Sequence, residues 1–393
     1  MKKFLAVLLA MTMVFALVAC GSEQAAPAPA APAAPAAPAA EAAPAAAEPA
    51  AEPAAAIAVA MVTDYGDITD QSFNQTTYEA CKEFCEAEGL QFSYYKPASD
   101  SDDDRVSAIE LAIDDGYNVI VTPGYAFAGA LKATAPEYSD ITFIALDVGE
   151  GDFGDFELPA NLYSAVYQEE LCGYMAGVAA VKLGFTKLGF LGGMAVPAVV
   201  RYGYGFVQGV DAAASELGVD VEMKYVYGNQ FFGDADITAY MDTWYAAGTE
   251  VVFACGGGIY SSAAEAAAKV GGKVIGVDVD QAGIIDGQYG EGMTVTSAMK
   301  GLAATVKTML GKVVAGEFEG GKIENLGLVS DVPAENYVQI AGSTQFGDGF
   351  SEADYAALVA DMFAGKVTVS NDITKTAADL ATVVAVEDLG NLK

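Results

Sequence analysis

MVTDYGDITDQSFN, residues 61–74, is the stretch on which the reading of this chain turns. It continues a short apolar run, IAVAMV (57–62), then breaks into small, acidic and amide residues before a helical pattern sets in. An apolar strand that feeds a polar loop and then a helix is the repeating unit of parallel α/β sheets, and ligands bind at the carboxyl ends of such strands. Asp64, Phe73 and Asn74 on this loop are therefore candidate ligand contacts. Asp70, Ser72 and Asn74 also have the chemistry of N-caps for a helix starting near Thr76. A phenylalanine in so polar a loop either packs beneath it or offers its ring to a flat ligand.

The unit repeats downstream. Helices are expected at 77–88, 104–115 and 126–135, alternating with strands at 91–95, 118–122 and 141–146, the last ending at Asp147. That series closes near residue 163. A second opens with a helix at 169–181, whose face CGYMAGVAA is small and glycine-bearing. It continues through strands at 187–193, 221–228, 250–258, 273–280, 293–297 and 326–330. Helices are expected between them, at 298–315, and in the tail near 352–363 and 376–387. Alternation at this spacing predicts an α/β protein of two similar lobes, each a parallel sheet flanked by helices. Asp64, Asp147, Gly257 within 256–258 and Asp278 all fall at strand ends. Each alone is more often a turn or cap residue; together they place polar groups on facing edges of both lobes, which is a cleft. Phe231 and Phe232 offer a second ring. Lys300, expected near a helix start, is either a solvated lysine or an ammonium that holds ligand hydroxyls beside Asp278.

Upstream of the sheet, residues 1–20 have a two-lysine head, an apolar body and the ending Leu-Val-Ala-Cys. This is a secretion signal, and its ending looks like a bacterial lipoprotein signal with Cys20 lipidated. Residues 21–56 are nearly all Ala, Pro and Glu and hold eight of the fourteen prolines. Such a tract buries too little to fold and makes an extended disordered tether, reaching about 100 Å at roughly 3 Å per residue.

With 19 basic and 53 acidic residues and no His, the net charge is −34. That argues against nucleic acid or anionic lipid as a partner, since both need a basic footprint. Four cysteines remain, at 81, 85, 172 and 255; with no His and no second close pair they make a poor metal set and read as buried free thiols. No G-x-S-x-G, G-x-x-x-x-G-K-S/T or catalytic zinc pattern occurs, so no enzyme activity, cofactor or metal is expected.

These residues resemble one family in an ordered series: the basic-membrane-protein family of solute-binding lipoproteins, which includes purine nucleoside receptors of ABC transporters. The series runs from Asp64, Gly66, Asp70, Ser72, Phe73 and Asn74 through FIALD at Asp147 and Asn161 with EELCGYMAG. It continues through the KLGFLGG…P…R block, Phe232 with Asp234, VVFACG, IGVDVDQ and the TSAMK lysine, over roughly 57–345. The resemblance implies a type I periplasmic-binding-protein-like fold, with the N-terminal lobe at 57–163 plus 296–322 and the C-terminal lobe at 164–295 plus 323–393. It implies that Phe73 and Phe232 (or Phe231) sandwich a base. Asp147, Asp64 and Asn74 would then address the polar edge of the base, and Gly257, Asp278 and Lys300 the ribose. The family often has Asp-Asp where this chain has Thr69-Asp70. The implied function is delivery of a purine nucleoside (guanosine, adenosine or inosine type) to ABC permease and ATPase subunits. The protein would be a monomer, lipid-anchored on the extracytoplasmic face of a bacterial cell membrane. A sugar or other small polar solute on the same fold, or a signalling or interaction lipoprotein, are the alternatives.

Overall fold

The structure, a computed structural model, describes residues 56–392 except Tyr65. The expected signal, the tether up to Ala55 and the lipidation site Cys20 lie outside the described residues.

The chain opens with β1 (Ala58–Val62), α1 (Phe73–Glu88), β2 (Gln91–Tyr95), α2 (Asp102–Asp114), β3 (Val119–Pro123), α3 (Ala128–Glu137), β4 (Thr142–Leu146), α4 (Glu150–Phe153) and β5 (Leu162–Tyr167). It proceeds through α5 (Glu169–Lys182), β6 (Lys187–Gly192), α6 (Pro197–Leu217), β7 (Glu222–Tyr227), α7 (Ala235–Ala246), β8 (Val251–Cys255), α8 (Tyr260–Ala268) and β9 (Lys273–Asp278). The last part comprises α9 (Ala282–Tyr289), β10 (Thr294–Lys300), α10 (Leu302–Ala315), β11 (Lys322–Leu326), β12 (Val338–Ile340), α11 (Glu352–Phe363) and β13 (Ala385–Asn391). One sheet has the order β11-β5-β4-β3-β1-β2 and the other β12-β10-β9-β8-β6-β7-β13. Every pairing is parallel except β10 with β12. This is the two-lobed α/β fold expected.

Central strands such as β1 and β3 are buried along their whole length, because helices cover both faces of a parallel sheet. Alternation then sorts their side chains: Val59 and Met61 enter a core shared by both lobes, while Ala58, Ala60 and Val62 enter one on the other face. The expected small face of α5 is used for close helix packing. A Cβ at Gly173 or Gly177 would run into the backbone of α6, and one at Gly205 or Gly209 into that of α5. With four small residues at i, i+4 spacing, the two backbones pass in direct contact.

The chain changes sheet after Tyr167, after Lys300 and after Leu326, where its segments are tied together. Gln168 N donates to Leu326 O at 2.9 Å, and Gly301 N to Tyr337 O at 2.7 Å. These crossings fall later than the expected 163, 295 and 323, because pairing carries β5, β10 and β11 to their ends before the chain leaves. Further corrections follow from pairing. Residues 298–300 extend β10 between β9 and β12 and do not begin a helix. Residues 326–330 are mostly loop, the strand being β11. The stretch expected as a helix at 376–387 holds a single 3-10 turn and the start of β13, which pairs with β7. Strands β5 and β12 were not expected at all.

Candidate functional site

A cavity of about 660 Å³ lies where the strand ends of the two sheets face each other. All nine candidate contacts, Asp64, Phe73, Asn74, Asp147, Phe231, Phe232, Gly257, Asp278 and Lys300, line it.

The loop after β1 is organised by Asp70. Its carboxylate accepts from the backbone N–H groups of Ser72, Asn74 and Gln75 at 2.9–3.1 Å and from Asn74 Nδ2 at 3.1 Å. Satisfying those free donors lets α1 start at Phe73, earlier than expected, so Phe73 stands on the first helical turn and not in a loop. Thr69, where the family often has a second Asp, is exposed and turns back onto Asp67 at 2.9 Å. Asn74 places its amide NH2 between Asp64 (3.1 Å) and Asp70. Two carboxylates fix that orientation, and Asn74 Oδ1 is left buried with no partner. Burial pushes the Asp64 carboxyl up to about 6, against the opposing hydrogen bonds from Gly66 and Asn74.

Asp147 directly follows β4 and Asp278 ends β9, one central strand in each sheet, and both have left-handed backbone (φ 60° and 64°). Aspartate tolerates that conformation better than most residues, and here it turns each carboxylate into the cleft. Between them stands Lys300 at the end of β10, buried. Its ammonium contacts Asp147 Oδ2, Asp278 Oδ1 at 3.6 Å and Glu169 Oε1 at 3.5 Å. It also lies 4.8 Å from the Phe73 ring centroid, within cation–π range. Burial alone would lower the Lys300 pKa; the carboxylates of Asp147, Asp278 and Glu169 more than offset this and hold it well above the ordinary lysine value. Burial raises Asp147 to about 6, with Lys300 opposing. Asp147 Oδ1 has no partner. Glu169 accepts in turn from Arg201 Nε at 2.6 Å.

Direct contacts join the two walls. Ser72 Oγ donates to Asp278 Oδ2 at 2.6 Å, and Gln281 Nε2 to Gln71 O at 3.1 Å. Of the paired phenylalanines, the ring of Phe231 packs against Gly193 and Gly256, whereas Phe232 is 55% exposed at the rim. Cys255 lines the cavity; it and the other three cysteines among the described residues are free and buried, as expected.

Tyr125, Arg201 and Tyr202 also line the cavity, with Glu169 behind it, and none of the four is among the expected contacts. Arg201, one of only two arginines in the chain, was the available signal.

Residues 57–334 match the family described as ABC transporter substrate-binding protein, PnrA-like. The chain belongs to that family. This substrate-binding protein is 28% identical over 335 residues to the ABC transporter nucleoside-binding protein BmpA of Lactococcus lactis, covering 80% of this chain and 89% of that one. It is 28% identical over 291 residues to basic membrane protein B of Borreliella burgdorferi, covering 69% and 78%. Among solved structures it is similar to an ABC transporter solute-binding protein from Aeropyrum pernix K1. The TM-score is 0.63 at 23% identity, covering 82% of this chain and 90% of that chain, a likeness of fold alone. No helix among the described residues is long and apolar enough to cross a membrane.

Proposed function

We propose that this protein binds a neutral purine nucleoside in the interlobe cavity and presents it to an ABC importer, anchored through Cys20 on the extracytoplasmic face. The observation that carries the reading is the composition of one cavity. Rings from both lobes, Phe73 and Phe231 with Phe232, share it with strand-end carboxylates and Lys300. Its volume is in the range of small-molecule sites. Its cations are already committed: Lys96 pairs with Asp67 at 3.3 Å, Arg201 with Glu169, and Lys300 with three carboxylates. A phosphorylated ligand would meet a surplus of negative charge, whereas a nucleoside brings a flat base for the rings and hydroxyls for the Asp278–Lys300 pair.

The buried acceptors Asn74 Oδ1 and Asp147 Oδ1 lack donors, and an unpartnered buried acceptor costs about 1–3 kcal/mol. A base edge carrying N–H groups, as in guanine or hypoxanthine, relieves that cost better than adenine, whose N1 is itself an acceptor. Binding needs no covalent step; opening of the lobes would release the ligand.

Calorimetry of the protein against guanosine, inosine, adenosine, free bases, ribose, hexoses and a nucleoside monophosphate tests this. Guanosine or inosine should bind most tightly and the monophosphate much more weakly. A sugar that binds while every nucleoside stays silent would overturn the reading.

A further inference from the structure

One residue beyond the family match at 334, Ile373, lines the cavity. The tail leaves α11, crosses the outer face of α6, and ends as β13 on the edge of the second sheet. Tyr204, Gln208 and Asp211 of α6 lie at i, i+4 and i+7, which puts them on one stripe of the helix, and all three hold the tail. Gln208 pairs reciprocally with the backbone of Ser370 (2.8 and 2.9 Å), and Tyr204 Oη donates to Lys375 O at 2.6 Å. Asp211 accepts from the backbone of Thr382, Val383 and Val384 and from the Thr382 hydroxyl at 2.8–3.0 Å. Between the Ser370 and Lys375 anchors, Asp372 accepts from Thr374 N at 3.0 Å and Oγ1 at 2.6 Å and closes a tight turn. Ile373 sits inside that turn, 40% exposed, and its side chain lines the ligand cavity. One turn toward the cavity from Tyr204, the same stripe continues to Arg201, another lining residue.

We infer that Ile373 is a specificity-determining residue: the pinned turn sets an uncharged, branched side chain across the cavity wall, so the end of the ligand lying there must be short and apolar or neutral. The turn around Ile373 is held at both shoulders, by Gln208 on Ser370 and by Tyr204 on Lys375, so Ile373 is presented to the cavity in one place. The inference rests on the cavity being the ligand site, and not on the ligand being a nucleoside.

The test compares the full chain with Ile373→Trp and Ile373→Ala, using calorimetry with the nucleoside or sugar that the wild-type protein binds most tightly. The same ligand is also supplied with a bulky substituent at one end or the other. Ile373→Trp should weaken the parent ligand about tenfold or more with unchanged thermal stability. Ile373→Ala should leave the parent within about threefold while improving one extended ligand about tenfold, which identifies the end that faces the tail. Parent affinity within about twofold of wild type in Ile373→Trp, with no gain for any extended ligand in Ile373→Ala, would overturn the assignment. A sugar as the tightest ligand would remove the nucleoside reading and leave the Ile373 comparison intact.

Discussion

The two walls of the cavity are built on opposite principles. The first, from β1, α1 and β4, carries acceptors: Asp64, Asn74 Oδ1 and Asp147 Oδ1, the last two without partners. The second, from α5, α6, β9 and β10, carries charges that answer one another: Lys300 and Arg201 against Asp278 and Glu169, with Asp147 reached across the cleft. An unfinished wall discriminates among ligands because only a suitable donor completes it. A finished wall holds its shape whether or not a ligand is present.

That contrast breaks most readily at Lys300. Replacing it with Met leaves the buried Asp147 and Asp278 without a cation and Glu169 with Arg201 alone, and removing one partner of a buried ionic cluster costs about 3–5 kcal/mol. Urea unfolding should register a loss of that order; a neutral result would mean that the second wall is not held by its charges. Phe73→Ala and Asp278→Ala, one from each wall, should each weaken ligand binding more than about tenfold, about 1.4 kcal/mol, in calorimetry on folded protein. Unchanged affinity in either would remove that wall from recognition.

The pH response should sharpen the contrast. Asp64 is raised by burial from an ordinary 3.8 to about 6, so the folded protein holds a proton that the unfolded chain has lost between those values. Stability contributed by that group is then greatest below pH 4, falls as pH rises to about 6, and is level above. Asp64→Asn should make this slope shallower, leaving the share carried by Asp147, which burial also raises to about 6, and gain about 1 kcal/mol at pH 7 relative to wild type; an unaltered slope in chemical denaturation would place the titration elsewhere. Lys300, held well above its ordinary value, adds no slope in this window, whereas Glu170 of α5, raised by burial from 4.5 to about 7, adds one of the same sign. The smallest effect separates the adjacent rings. Phe231→Ala, which empties the space against Gly193 and Gly256, should weaken binding several-fold, and Phe232→Ala at the exposed rim by about twofold or less. The reverse order would make the rim ring the stacking partner.

Much of this was legible because strand ends are a sequence property. Asp147, Gly257 and Asp278 each close an apolar or glycine-bearing run, Asp64 follows one after a single threonine, and a parallel sheet collects such positions at one edge. The glycines of α5 were legible as a packing face for the same reason. The ion network was not: Glu169, Arg201 and Lys300 are brought together by three segments far apart in sequence, and no local pattern marks a pair 131 residues apart. Where hydrogen-bond partners decide the structure, local reading also failed. The run 294–300 stays extended as far as Lys300 because β9 and β12 flank it, and the alanine-rich tail becomes the edge strand β13 because β7 offers an open side. Phe73 moved from loop to helix through four bonds to Asp70.

The glycine contact between α5 and α6 has a consequence for the ion pair at the cavity. Glu169 stands one helical turn above Gly173, and Arg201 one turn above Gly205, so the spacing of the two backbones sets how far apart this ion pair is held (2.6 Å). Glu169 in turn steadies the Lys300 ammonium. A single methyl added at Gly177 or Gly209, about two turns along from Glu169 and Arg201, would run into the backbone of the facing helix and push the two helices apart. The geometry of the ion pair at the cavity is thus set in part by glycines that do not line it.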